Sequence, residues 1–93
     1  MNPQKLTDKQ ITEAIAQLPE WKVVNGKLNR AFKFDSFVEA FTFMTKVAFA
    51  AEKMVHHPEF FNVYNRVVID LTTHDVDGIS NLDIDLAQKI NDL

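Results

Sequence analysis

The chain has 93 residues and a net charge of −3, and its ten lysine and arginine residues form no run, so the basic stripe that grips a nucleic-acid backbone is missing. A hydrophobic content of 46% with eight phenylalanines supports a folded core, and the absence of cysteine excludes disulfides, thiolate chemistry and zinc–thiolate sites together. No apolar run approaches the roughly 20 residues that span a bilayer, and Met1-Asn2-Pro3-Gln4-Lys5 is followed by no signal-peptide core, which points to a cytoplasmic protein with no membrane partner.

The first element reads as a helix. Thr7 and Gln10 stand at capping-box spacing, and Leu6 with Ile11 forms a hydrophobic staple. Ile11, Ala14, Ile15 and Leu18 then fall on one face, and Pro19 ends the run. Trp21 to Val24 and Leu28 to Phe34 follow as two strands. Asn25-Gly26 between them suits the positive φ angles of a type I′ hairpin turn. In the second strand Leu28, Phe32 and Phe34 share a face, with Asn29 and Lys33 opposite.

Asp35 or Ser36 caps a long second helix reaching to about Met54. Its main stripe is read as Phe37, Phe41, Met44, Val47, Ala48 and Ala51, with Val38, Phe43 and Phe49 outside it. A helix that is apolar over more than one face is packed on more than one side, so Phe43 and Phe49 mark a subunit interface. Val63 to Thr73 is rich in β-branched residues, and Val67, Ile69 and Leu71 alternate onto one face. A further short strand is expected between Phe60 and His74, bending at Asn62, Asn65 and Arg66. Asp77-Gly78 turns the chain. The last helix starts near Ser80, with Asp83 at the capping-box position and Leu82, Leu86, Ile90 and Leu93 along it. The expected fold is α+β in the order α-β-β-α-β-β-α. It has a four-stranded antiparallel sheet with three helices on one face, as a single domain over residues 1–93. A domain of this size buries only about 60–65% of its unfolded surface, so self-association would help it.

All three histidines, His56, His57 and His74, lie in the second half of the chain, and two are adjacent. Imidazole titrates near neutrality and suits general acid–base work. The residues by themselves leave two readings open, because a histidine just beyond a helix also serves as a partner for the helix dipole. Pro58 restricts His57 to extended geometry and fixes the turn. His74 shares the parity of Asp70 and Thr72, away from the apolar face of its strand. A shared metal is disfavoured, since adjacent histidines on extended backbone point apart. Glu52 lies one helical turn before His56 and reaches it if the helix continues. Asp83 reads first as a cap for Ser80. With only Gly26 and Gly78 in the chain, no glycine-rich phosphate loop exists.

The run Glu52-Lys53-Met54-Val55-His56-His57-Pro58-Glu59-Phe60-Phe61-Asn62-Val63-Tyr64-Asn65 resembles the signature of pterin-4a-carbinolamine dehydratases. The resemblance continues through Val67, Ile69, Leu71, Thr73-His74, Gly78, Ser80 and Asp83. It extends back to Trp21, Phe32-Lys33-Phe34 and Phe43-Met44-Thr45, so it covers nearly the whole chain. It implies dehydration of a 4a-hydroxytetrahydropterin to the quinonoid dihydropterin, a step that recycles tetrahydropterin and needs no metal or organic cofactor. By similarity His56, His57 and His74 are catalytic, with His56 and His74 favoured as the proton-transfer pair and His57 as a substrate holder. Val55, Pro58, Thr72, Thr73 and Asp75 resemble the pterin-contacting positions, and Glu52, Asp83 and Phe60 the supporting ones. Two positions depart from the pattern. Val55 stands where relatives carry a polar or acidic residue, and Phe60 replaces a tryptophan and its N–H donor. The resemblance also implies a homodimer or homotetramer, built through the sheet edge and the second helix. Some animal relatives bind a homeodomain transcription factor through that helix, so a protein-binding module with a weakened pterin site is the competing reading.

Overall fold

The computed structural model describes residues 2–93. Three helices and four strands follow in the order α1 (Asp8–Ala16), β1 (Lys22–Val24), β2 (Lys27–Lys33), α2 (Phe37–Met54), β3 (Glu59–Val63), β4 (Arg66–Leu71) and α3 (Asn81–Asn91). A short 3₁₀ turn, His74–Val76, lies between β4 and α3. The α+β class and the element order agree with the sequence reading. All neighbours in the sheet are antiparallel, in the order β1-β2-β4-β3, which leaves β1 and β3 as edges.

Local chemistry explains the boundaries. Thr7 and Gln10 form the expected capping box on α1, and Ser80 with Asp83 forms another on α3. Ser36, rather than Asp35, caps α2 by accepting from the Glu39 N–H. Asn25 and Gly26 both take positive φ, as a type I′ turn requires, and Val24 pairs with Lys27 across it. The second hairpin turns at Tyr64-Asn65, with Tyr64 at φ 51° and no glycine present.

Leu28, Val67, Ile69 and Leu71 point from one sheet face into a core shared with Val47, Ala51, Leu82, Leu86 and Ile90. α2 lies over β4 and against α3. Its packed face differs from the stripe expected from sequence. Ala40, Val47, Ala51 and Met54 are buried, whereas Phe37, Phe41 and Ala48 are exposed. Small side chains sit where the helix crosses the sheet because backbones approach closely there, and large rings are displaced to the flanks. Phe43 is not free either: its ring lies 4.7 Å from Phe32 and 5.1 Å from Phe34, closing one end of the core. Phe49 remains 70% exposed, and Leu93, expected on the packed face of α3, is half-exposed at the chain end.

Candidate active site

The end of α2 sets the geometry. Val55 adopts φ 53° and ψ 41°, the left-handed conformation that closes a helix. The Val55 N–H donates to Glu52 O and the His56 N–H to Ala51 O, both at 3.1 Å, the two bonds of a Schellman ending. The helix therefore does not continue, and the expected reach of Glu52 to His56 fails. After the reversal Glu52 meets His57 instead, with Oε1 2.5 Å from Nε2. His56 turns inward and His57 outward, as neighbours on extended backbone must.

His56 is 9% exposed, and its Nε2 lies 2.5 Å from Asp83 Oδ1. Asp83 is fully buried, and its other oxygen accepts from the Ser80 N–H at 2.9 Å and the Thr73 hydroxyl at 2.8 Å. Thus Asp83 is both the cap of α3 and the partner of His56. An ionised carboxylate only accepts, so the ring donates its Nε2–H to Asp83 and Nδ1 is left as the unprotonated, accepting nitrogen. That nitrogen has no partner among the described residues. No buried side-chain nitrogen or oxygen there is left unpaired, so Nδ1 reaches solvent.

Val55, His56, His57, Thr72, Thr73, His74 and Asp75 line one open cleft of about 210 Å³. The three histidines thus come together from two separate stretches of chain. Thr73 lines the cleft, with its hydroxyl turned away to Asp83 and Ser80. Glu52 and Asp83 stand behind the histidines. Pro58 and Phe60 do not line the cleft; Phe60 projects from β3 on the same sheet face as Ile69. One further residue enters that the sequence reading did not single out. Glu59 Oε2 is 3.6 Å from His74 Nε2, and Glu59 Oε1 accepts from Lys27 Nζ at 2.7 Å. That hydrogen bond, together with the Glu59 charge, raises Lys27 above the ordinary lysine value. The signal lay in position: Glu59 starts a strand just past the histidine turn, but Lys27 is 32 residues away. A larger groove of about 730 Å³ between α2 and α3, which includes Lys46, Phe49 and Lys89, contains no histidine.

The family model for pterin 4 alpha carbinolamine dehydratase matches residues 4–93. The chain belongs to the pterin 4 alpha carbinolamine dehydratase family. Among dehydratase-family relatives, a Solibacter usitatus protein named for this activity is 54% identical over 89 residues, covering 96% of this chain and 94% of its own length. A similarly named Prochlorococcus marinus protein is 46% identical over 93 residues, covering 100% of this chain and 97% of its own. The crystal structure of a "transcriptional coactivator/pterin dehydratase" from Brucella melitensis superposes with a TM-score of 0.90 at 45% identity. It covers 96% of this chain and 97% of that one. Among the described residues no helix is long and apolar enough to cross a membrane.

Proposed function

We propose that the protein dehydrates a 4a-hydroxytetrahydropterin to the quinonoid dihydropterin by histidine acid–base catalysis in the His56–His57–His74 cleft. The observation that carries this reading is the convergence of three imidazoles on one cleft, in a chain that matches the dehydratase family over residues 4–93. The reaction removes a proton from a ring nitrogen and the C4a hydroxyl as water. One imidazole takes the nitrogen proton and another protonates the leaving hydroxyl, so no net proton or electron is required. His56, held by Asp83, and His74, from the turn after β4, are the proton-transfer pair. His57, tied to the exposed Glu52, contacts the substrate.

The cleft is smaller than the ~300–1,000 Å³ pockets that enclose drug-sized ligands. It accommodates one edge of a bicyclic pterin, with Val55, Thr72 and Asp75 on its margins, and leaves the rest open to solvent. The test is the rate of carbinolamine dehydration with purified protein in the presence of a metal chelator. The reading predicts acceleration over the spontaneous reaction that the chelator does not diminish. A rate equal to the protein-free control contradicts it.

A second reading, a protein-binding role, draws on the exposed Phe49 and on the coactivator half of the Brucella melitensis name. Self-association through the β3 edge, where Phe61 and Val63 are exposed, and through α2 is compatible with both readings. The cytoplasm is the compartment proposed.

A further inference from the structure

Each histidine of the cleft turns its Nε2 toward one carboxylate, and each carboxylate comes from a different element. Asp83 of α3 serves His56 and Glu52 of α2 serves His57, both at 2.5 Å. The third pair, His74 with Glu59 of β3, stands at 3.6 Å. His74 is otherwise unsupported. Its side chain is 83% exposed, and among the described residues no other side chain bonds its ring.

Glu59, by contrast, is anchored. Lys27 of β2 holds Oε1 at 2.7 Å, which leaves Oε2 facing the imidazole. Glu59 is in register with Asp70, which is in register with Asn29, and Asn29 Nδ2 donates to Asp70 Oδ1 at 2.9 Å. These residues form a polar row on the sheet face opposite the core, and His74 lies at its end. Asp75 and Asp77 in the same turn add negative charge beside it.

We propose that Glu59, anchored by Lys27, is the positioning residue for His74: its Oε2 accepts from the Nε2–H of the ring and so presents Nδ1 for proton transfer. An ionised carboxylate only accepts, so it selects the tautomer with hydrogen on the nitrogen facing it. The gap exceeds an N–H···O hydrogen bond by about 0.6 Å, a distance a side-chain rotation closes, and such contacts tighten when substrate arrives. All three histidines then work through the same ring nitrogen. The inference rests on the dehydratase reading of the cleft for its catalytic half, but not for its tautomer half.

The test combines ¹⁵N NMR of the neutral His74 ring with steady-state dehydration kinetics for wild type, Glu59→Asp, Glu59→Gln and Lys27→Met. The isosteric Glu59→Gln change on a half-buried edge strand leaves the fold intact, checked by thermal melting. In wild type the ring is held near a single Nε2–H tautomer. In Glu59→Gln, whose amide both donates and accepts, it relaxes toward the mixture of free imidazole, and kcat falls about tenfold with little change in KM. Glu59→Asp and Lys27→Met, which keep a carboxylate but misplace it, fall between. An unchanged tautomer in Glu59→Gln overturns the proposal, and so does a changed tautomer with unchanged kcat. If the tautomer responds as expected but wild type does not dehydrate the carbinolamine, the positioning of His74 stands and the dehydratase reading falls.

Discussion

At the scale of single residues, Val55 links backbone strain to the site. A β-branched side chain in the left-handed region costs about 1–2 kcal/mol, and Val55 gains no packing in return because it is 81% exposed. The strain is offset by the Schellman bonds that reverse the chain and deliver His56 inward to Asp83. Val55→Gly relieves the strain while adding unfolded-state entropy, so a net stabilisation of about 0.5–1 kcal/mol is expected in denaturant melts. A variant less stable than wild type would show that Val55 is not strained. Pairings at this scale were only partly legible. The Ser80–Asp83 cap spans three residues and follows from spacing, but the same Asp83 meets His56 across 27 positions, which only the packing of α3 decides. Spacing brings Glu52 to His56 only if the helix continues, and nothing in a valine announces the left-handed end that turns Glu52 to His57 instead.

Elements were legible wherever local chemistry sets them. Both capping boxes and the Asn25-Gly26 hairpin turn stand as read, because each depends on neighbours within a few positions. The face of α2 was harder. Its apolar residues surround the helix, and sequence spacing by itself favours the large rings Phe37 and Phe41. The sheet instead accepts Ala40, Val47 and Ala51. Phe43 and Phe49 therefore separate into different roles. Phe43→Ala opens the ring cluster with Phe32 and Phe34 and should cost about 2–3 kcal/mol, somewhat below a fully buried phenylalanine. Phe49→Ala should leave monomer stability within about 0.5 kcal/mol, while weakening self-association in sedimentation experiments. Equal destabilisation by the two changes would contradict this division.

Across the whole molecule, the site is a product of topology. The turn after α2 supplies His56 and His57, and the turn after β4 supplies His74. Placing β4 inside the sheet, between β2 and β3, brings those turns together. The N-terminal segment reinforces the second turn, since the Leu6 N–H donates to Ile79 O and the Asn81 N–H to Gln4 O. Through Ser80 and Asp83 that support extends to His56. The fold is thus a frame that brings three imidazoles from two loops to one cleft. The most direct test is the turnover of 4a-hydroxytetrahydropterin by a His56→Ala/His74→Ala double variant, compared with wild type by stopped-flow absorbance. A loss of roughly 10²–10⁴-fold, with the fold retained by circular dichroism, is predicted. Turnover at the wild-type rate would contradict the account.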